Sequence, residues 1–144
     1  MECAGAVLAA QGPTYKDSDQ RAFYEVYDGA THGQGLVDQA VVAFDNAAAA
    51  QSYLAKSLNQ YRQCAGKKFT AGTSQGSISW TVAEPVQVGG MTLFHNVLHV
   101  EEDRFDDRVL AVKANVVVDL MAFKVGLQAQ ATTIASQILQ RIPG

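Results

Sequence analysis

The sequence predicts an α+β fold, with an antiparallel sheet of about five strands and helices packed beside it. Two segments place apolar residues three or four positions apart, the spacing of a helix with one buried face. Other segments alternate apolar and polar residues, the period of a half-buried strand. Consecutive strands joined by short turns favour antiparallel pairing. The length suits one core, so residues 1–144 are expected to form a single domain.

The first part of the chain predicts a short helix followed by a hairpin. Residues 2–11 are rich in alanine, which favours a helix, and Gly12-Pro13 ends it. Ala22–Asp28 and Leu36–Asp45 are strand-like and are joined by the glycine-rich stretch Gly29–Gly35. These segments predict two antiparallel strands with a loose loop between them.

The helix that follows has the clearest local signals. Asp45-Asn46 supplies an N-cap before the alanine run that begins at Ala47. Gly66 is a suitable C-terminal stop, and Cys64 is expected on the last turn, where a covalent tether would hold the helix end. The predicted buried positions are Ala50, Leu54, Leu58, Tyr61 and Ala65.

Three strands and a final helix complete the prediction. The strands are expected over residues 77–82, 91–101 and 109–123. In the third, every even position from 110 to 122 is apolar, which predicts one long strand with its even face buried. Residues 127–142 form an amphipathic helix that Pro143 ends. The helices are expected to pack on one face of the sheet.

The composition excludes several classes of protein. The net charge is −3 and the pI is near 5.5, whereas a binder of nucleic acid or anionic membranes needs a basic patch. No run reaches about 18 apolar residues, so no transmembrane helix is expected. Met1-Glu2-Cys3 lacks the basic start and apolar run of a signal peptide. These features fit either a cytosolic protein or an excised domain of an exported one.

The two cysteines leave alternatives open. Widely spaced cysteines in a cytosolic protein are usually separate buried thiols, whereas an even number in an exported protein suggests a bridge. A Cys3–Cys64 bond would close a loop of about 60 residues and contribute roughly 4 kcal/mol by chain entropy, before strain is subtracted. It would also hold an N-terminus that otherwise tends to fray. Composition does not choose between these alternatives.

Two short motifs resemble catalytic ones. Gly72-Thr-Ser74-Gln-Gly76 matches the nucleophile elbow of hydrolases, but a strand follows it rather than a helix, which favours an ordinary hairpin loop. His95-Asn-Val-Leu-His99 has the spacing of a two-histidine zinc motif without the glutamate that acts as base. On a strand these rings would lie roughly 13 Å apart, too far for one ion. We interpret both histidines as polar residues of a solvent-facing or cleft-facing strand.

The acidic run over residues 101–107 predicts a solvated turn between two long strands. Weak calcium binding is an alternative, although the spacing does not fit an EF-hand and the sharp-turn glycine is missing. Further along, Lys113, Asn115 and Asp119 alternate on one face of the predicted long strand. Unpaired burial of such groups is costly, so they either face water or line the polar floor of a ligand cleft.

Several segments, in their order along the chain, resemble a known family. They are Cys3-Ala-Gly-Ala, the run from Gln39 to Phe69, Trp80-Thr-Val82, Asn115-Val-Val-Val-Asp119 and the final amphipathic helix. Over nearly the whole chain they resemble the extracellular sensor domains of mycobacterial PknH-type Ser/Thr kinases and related stand-alone cell-envelope lipoproteins. The resemblance implies an exported α+β domain with a twisted antiparallel sheet and a cleft proposed to bind an unidentified ligand.

The same resemblance implies a disulfide between Cys3 and Cys64, because the family pairs these positions. The chain also departs from the family pattern. Tyr61 stands where many members have tryptophan, and Asp106 and Phe123 stand where they have a second disulfide. Without that bond, we expect the strand to depend on apolar packing at Phe123 and the loop around Asp106 to be more mobile.

The expected function is that of a non-catalytic sensor domain on the extracellular face of the membrane or in the cell envelope. It would bind an unidentified small molecule or cell-wall ligand, without a cofactor, metal or nucleic acid. A membrane tether would lie in segments absent from this chain, which also lacks kinase motifs. One alternative is a small metal-dependent or hydrolytic enzyme using His95 and His99 or Ser74, and another is a structural envelope protein. The candidate ligand-binding residues are Lys113, Asn115, Asp119, His95 and Trp80.

Overall fold

The computed structural model describes residues 3–16, 18–29, 35–124 and 130–144. Its mixture of helices and strands confirms the predicted α+β class. None of the described helices is long and apolar enough to cross a membrane. The helices are α1 (Ala4–Val7), α2 (Gly12–Tyr15), α3 (Ala47–Arg62) and α4 (Gln130–Arg141). The strands are β1 (Ala22–Gly29), β2 (Gly35–Ala43), β3 (Lys68–Thr73), β4 (Gly76–Thr81), β5 (Val86–Val88), β6 (Met91–His99), β7 (Arg104–Lys113) and β8 (Val116–Lys124).

The described strands form one antiparallel sheet of eight strands, so the prediction of about five was too low. The order across the sheet is β1-β2-β8-β7-β6-β4-β3, and β5 pairs with the beginning of β6. The hairpin predicted from Ala22–Asp28 and Leu36–Asp45 is confirmed as β1 and β2. β3 and β5 were missed because their signals are weak. β3 has only one large apolar residue, Phe69, and β5 is a short strand that follows Pro85.

Residues 104–124 form a tight hairpin, so the single long strand predicted over residues 109–123 is wrong. β7 and β8 pair through Lys113 and Val116, on either side of the turn Ala114-Asn115. Ala114 has a φ of 51°, in the left-handed region. Because the turn holds an even number of residues, an even-numbered residue of β7 pairs with an odd-numbered residue of β8. The predicted even face is therefore divided between the two faces of the sheet.

Helices cover both faces of the sheet rather than one. We call the face under α1, α2 and α3 the disulfide face, and it carries Phe94, Leu110 and Val117. We call the opposite face the α4 face, and it carries Val109 and Leu120, which pack with α4. Adjacent residues of one strand point to opposite faces. The largely apolar sequences of β7 and β8 therefore fill two separate cores.

The predicted central helix is confirmed as α3. The side-chain oxygen of Asn46 accepts a hydrogen bond from the backbone N–H of Ala49 at 2.8 Å, which caps the helix. The buried positions include the predicted Ala50, Leu54, Leu58 and Tyr61. The helix ends at Arg62, so Cys64 lies in the turn just beyond it rather than on the last helical turn.

The disulfide between Cys3 and Cys64 is present, as the family resemblance implied, and it joins the start of α1 to the end of α3. α1 ends at Val7, and Leu8 is extended, so the helix predicted over residues 2–11 is too long. A Cβ atom on Gly5 would lie 2.1 Å from the hydroxyl oxygen of Tyr61. Only glycine therefore allows α1 to approach α3 this closely.

Other predicted boundaries differ at their ends. The last helix is α4, Gln130–Arg141, and residues 127–129 of the prediction lie outside the described residues. The same is true of residues 30–34 in the predicted glycine-rich loop. The solvated turn predicted over residues 101–107 is wrong in its second half, because β7 begins at Arg104. Asp106 is completely buried there and Asp107 nearly so.

Candidate ligand-binding site

An open groove lies on the α4 face, beside the outer strands of the sheet. Tyr24 pairs with Val41 and Val26 with Gln39, so these side chains form the floor on one face of β1 and β2. α4 packs over β7 and β8, and its Ile138 forms one wall of the groove. The volume is about 160 Å³, and the lining is apolar or aromatic apart from Gln39.

The structure does not bring the five predicted ligand residues together. Trp80 and Asp119 lie on the disulfide face, whereas His95 and Lys113 lie on the α4 face. Asn115 is in the turn between β7 and β8. The single odd-numbered face assumed for Lys113 and Asp119 does not exist, because the turn lies between them. A shared role for the five residues in one cleft therefore has no geometric support, although ligand binding by each of them stays a prediction.

Asp119 belongs to a row of buried polar side chains that holds residues 3–16, the N-terminal segment, on the sheet. Asn96 of β6 donates to the carbonyl oxygen of Ala6 at 2.8 Å. The Arg108 Nε atom of β7 donates to the carbonyl oxygens of Gly5 and Leu8, both at 3.1 Å. Gly5 and Ala6 lie in α1 and Leu8 directly follows it. Carbonyl groups in the last turn of a helix have no partner within it, so these side chains supply the hydrogen bonds that a longer helix would have made.

Arg108 and Asp119 form a buried ion pair at the centre of this row. Arg108 Nη1 lies 2.5 Å from Asp119 Oδ1, and both side chains are almost completely buried. Asp119 Oδ2 accepts hydrogen bonds from Ala10 N–H at 3.2 Å and from the Tyr15 hydroxyl at 2.5 Å. Burial and the adjacent Asp119 raise the pKa of Tyr15 far above its ordinary value. Burial opposes the charge of Arg108, but the interactions with Asp119, Tyr61 and Tyr15 together outweigh it and raise the pKa of the guanidinium.

Trp80 and Asp106 form a second buried polar contact on the disulfide face. The Trp80 Nε1–H group donates to Asp106 Oδ2 at 2.5 Å, while Asp106 Oδ1 has no hydrogen-bond partner within residues 3–16, 18–29, 35–124 and 130–144. Burial raises the pKa of Asp106 to about 7, although Trp80 and Arg108 favour its charged form. Asp106 lies inside β7 rather than in a loop. If the register is continued one pair beyond Asp107–Ala122, Asp106 lies opposite Phe123. These are the two positions of the missing family disulfide.

Lys113 and Asn115 also have structural partners. The Lys113 ammonium donates to the carbonyl oxygen of Leu139 at 2.9 Å, near the C-terminus of α4, where a positive charge is favourable. The Asn115 side-chain amide donates to the carbonyl oxygen of Phe44 at 2.7 Å, and its own carbonyl accepts from Phe44 N–H at 2.8 Å. Asn115 therefore fastens the β7–β8 turn to the end of β2.

The two histidines contact different carboxylates. His95 Nδ1 is paired with Asp107, and the His95 ring stacks on Phe105 with ring centroids 3.8 Å apart. His99 lies 3.2 Å from Asp103 through Nδ1 and 2.7 Å from the Thr81 hydroxyl through Nε2. In the part of the chain that the structure describes, no three His, Cys, Asp or Glu side chains are grouped as metal ligands. The metal-dependent alternative has no support in these positions.

Ser74 lies in a hairpin turn between β3 and β4, as the sequence favoured. Thr73 pairs with Gly76 across this turn, and the next segment is strand β4 rather than a helix. The Thr73 hydroxyl accepts from Gln75 N–H at 3.2 Å and donates to the Gly76 carbonyl at 3.0 Å. The strained strand-to-helix turn that exposes a hydrolase nucleophile is absent at this position.

A pair of carboxyl groups lies near the opposite edge of the sheet. Glu25 of β1 pairs with Ala40 and Tyr27 with Asp38, which places the side chains of Glu25 and Asp38 diagonally on the disulfide face. Burial and the hydrogen-bonded Glu25 carboxyl raise the pKa of Asp38 to about 7. The buried Asp38 Oδ1 atom has no hydrogen-bond partner among the described residues. No Lys, Arg or His side chain occurs in β1 or β2.

The sequence reasoning missed the groove and the central members of the polar row. Arg108 was left unassigned between the acidic turn predicted over residues 101–107 and the strand predicted from residue 109, although its place beside an apolar run is a signal for an internal strand charge. Asn96 had no distinguishing pattern. The groove arises where α4 stops short of β1, and that distance is not encoded in any local periodicity.

Comparisons with known proteins identify similar chains. The sequence matches the family described as "PknH-like extracellular domain" over residues 1–141. It is 29% identical over 146 aligned residues to the serine/threonine-protein kinases PknH of Mycobacterium bovis and Mycobacterium tuberculosis, with 98% of this chain covered. The match covers 24% and 23% of those proteins, so this chain spans about a quarter of the curated relatives it matches.

A solved structure is similar over almost the whole chain. The crystal structure of the extracellular domain of PknH from Mycobacterium tuberculosis superposes with a TM-score of 0.88 at 27% sequence identity. The superposition covers 97% of this chain and 73% of that one. The sheet and the helices on both of its faces are therefore an arrangement that this chain shares with an experimentally determined fold.

Proposed function

The chain belongs to the family of PknH-like extracellular domains, and we propose that it is a non-catalytic sensor domain that binds a ligand in the groove on the α4 face. The family confirms the extracellular location that the resemblance implied. The observation that carries the sensor role is the match of nearly the whole chain, in both sequence and fold, to the extracellular domain of a receptor-type kinase. The full protein would be a receptor kinase or an envelope lipoprotein, with this chain as a single sensing domain.

The groove is the place in the described residues that best fits such a ligand. Binding sites are concave and mainly apolar, with few polar groups that fix orientation. Tyr24, Val26, Val41 and Ile138 supply apolar walls, and Gln39 supplies one side-chain amide. The groove is smaller than the roughly 300 Å³ at which drug-sized sites begin. It would therefore hold one apolar part of a larger ligand, with the remainder along the exposed side of β1.

The chemistry of the lining restricts the class of ligand. No charged side chain lines the groove, so a phosphate or carboxylate would find no counter-ion there. An aliphatic or aromatic group with an amide or hydroxyl close by would bury its apolar surface and use Gln39 for a hydrogen bond. An amphiphilic component of the cell envelope fits this description.

Binding of the apolar fluorophore 1-N-phenylnaphthylamine to the purified domain tests the groove. We expect saturable fluorescence enhancement with the native domain and loss of it in Ile138→Glu, since that variant puts a carboxylate on the wall. The matched control is Val86→Glu, which changes an exposed valine outside the groove and should bind normally. Equal enhancement by Ile138→Glu would exclude the groove, and absence of saturable binding to the native domain would contradict ligand binding there.

A further inference from the structure

β1 is an exposed edge strand with unusually large apolar side chains. Among the described strands it pairs only with β2, and all eight of its residues are exposed. The exposed fractions are 36% for Phe23, 68% for Tyr24, 38% for Val26 and 62% for Tyr27. A long edge strand of this kind presents unpaired backbone groups and a place for side-chain contacts, so it is a template for another strand.

The opposite edge of the sheet shows how an edge is normally protected. β3 begins at Lys68, directly after Lys67. Its only large apolar side chain, Phe69, is buried, with an exposed fraction of 7%. Its other side chains are small or polar, and lysines at an edge disfavour pairing with a further strand. β1 has neither lysine nor proline. Lysine and proline, which protect a sheet edge, are therefore absent from β1, and this indicates that β1 can pair with a further strand.

All charged residues of the two outer strands, β1 and β2, are acidic. β1 carries Glu25 and Asp28, β2 carries Asp38, and neither strand contains a basic residue. The adjacent Arg21 is already paired with Asp45 in a two-pronged contact at 2.5 and 2.7 Å. One buried oxygen of the Asp38 side chain has no hydrogen-bond partner in the described part of the chain. A strand laid along β1 would therefore be favoured if it brought positive charge.

The two faces of β1 differ in what they would recognise. Phe23, Glu25 and Tyr27 lie on the disulfide face beside Asp38, so they offer carboxylates and aromatic rings to a cation. Tyr24 and Val26 lie on the α4 face, where their neighbours are apolar apart from Gln39, and Asp28 lies on the same face near the end of the strand. Because side chains of a strand alternate between faces, the complementary sequence alternates basic and apolar residues.

We propose that β1 is the docking edge for an extended segment of a partner protein, which alternates basic and apolar side chains and adds to the sheet as a further antiparallel or parallel strand. Main-chain hydrogen bonds to β1 supply affinity, and the alternating side chains supply specificity. A second copy of this chain fits less well, because two β1 strands side by side would bring Glu25 and Asp28 of both copies together without a compensating cation.

A capped Lys-Val repeat peptide as long as β1 is the probe that tests this edge. In titrations followed by amide NMR spectra, we expect saturable shifts confined to β1 and its neighbours in β2. A Glu-Val repeat should show no binding, and a Lys-Val repeat with N-methyl groups on alternate residues should bind at least tenfold more weakly. The affinity should also fall as salt rises, because part of it is electrostatic.

Variants of the domain separate the edge from the groove. Glu25→Lys should weaken Lys-Val binding at least tenfold. Val26→Lys, at a position that the edge shares with the groove, puts another positive charge on the edge and should also weaken this binding. Glu102→Lys changes an exposed acid in the β6–β7 loop and should leave binding unchanged. The proposal does not depend on the groove ligand, since Ile138→Glu affects only the groove and should retain peptide binding. Unchanged Trp80 fluorescence confirms folding of each variant.

Three results would overturn the proposal. The first is equal binding of the Lys-Val and Glu-Val repeats, and the second is full binding of the N-methylated peptide. The third comes from sedimentation of the free domain, for which we expect a monomer. A dimer that dissociates in Val26→Lys would assign β1 to a second copy of this chain instead of a partner segment.

Discussion

The two faces of the sheet are held by different kinds of interaction. On the disulfide face, a covalent bond and a row of buried polar side chains fasten the N-terminal segment across β6, β7 and β8. On the α4 face, α4 packs through small and aliphatic residues such as Ala131 and Ala135, without a buried ion pair among the described contacts. Buried polar pairs have strict geometry, whereas apolar contacts adapt to changes in shape.

This difference indicates where the domain is rigid and where it can respond to a ligand. Moving the N-terminal segment would leave Arg108 and Asp119 with unsatisfied charges, which is costly. Shifting α4 would exchange one set of apolar contacts for another at lower cost. The groove lies on this second face, so a ligand there would act on the more adaptable side of the sheet.

Removal of Arg108 should have the largest effect on stability. Arg108→Met leaves Asp119 buried without its cation and frees two carbonyl groups of the N-terminal segment, so we expect a loss of about 3–5 kcal/mol. Urea unfolding followed through Trp80, the only tryptophan, measures it. Arg62→Met, at an exposed position of α3, is the matched control and should change stability by less than about 0.5 kcal/mol. A loss below about 1 kcal/mol for Arg108→Met would contradict a central role for this ion pair.

Removal of the disulfide should be the next largest effect. The double variant Cys3→Ala, Cys64→Ala should lose about 2–4 kcal/mol, since the bond restricts a long loop in the unfolded chain. Unfolding curves of the oxidised domain and the variant give the difference. Adding a reducing agent should destabilise the native domain but not the variant. If the reducing agent left both curves unchanged, the tether would contribute nothing measurable.

The pH dependence of stability should report the buried carboxyl of Asp106. Its folded pKa of about 7 is above the unfolded value, so the stability it contributes is complete below about pH 4 and is lost as pH rises through 7. The stability of Asp106→Asn relative to the native domain should therefore rise by on the order of 4 kcal/mol between pH 4 and pH 8. Unfolding measured at both values tests this, and a constant difference would show that Asp106 does not titrate in this range.

Shortening Ile138 on the α4 face should have the smallest effect. Ile138 is only partly buried at the wall of the groove, so Ile138→Ser should cost about 1 kcal/mol or less. The thermal midpoint of unfolding measures the change. A loss comparable to that of Arg108→Met would show that α4 is as rigidly held as the N-terminal segment, and the proposed contrast between the faces would fail.

Much of the fold followed from local patterns, and the errors have a common cause. The hairpin of β1 and β2, helix α3 with its Asn46 cap and the amphipathic α4 were predicted because each has a clear period or terminal signal. The β7–β8 turn was missed because apolar alternation continues in phase through Ala114-Asn115. A strand and a tight hairpin give the same pattern when both faces are buried.

The candidate site was less predictable than the fold. Lys113, Asn115 and Asp119 were selected as polar residues in an apolar strand, and each instead has a structural partner from a distant segment. Trp80, which is part of the family resemblance, is buried and donates a hydrogen bond to Asp106. A polar residue in an apolar run signals a special environment, but it does not distinguish a ligand contact from an internal hydrogen bond.

The sequence by itself determined the class of fold, the positions of its best helices and strands, and, through its family resemblance, the Cys3–Cys64 pair. Only the tertiary structure decided which residues share a face, that both faces are covered, and where an open groove and a free edge remain. The physical reason is that periodicity acts within one element, whereas register and helix placement depend on contacts between segments far apart in the chain. A shift of one residue at a single turn exchanges the faces of a whole strand.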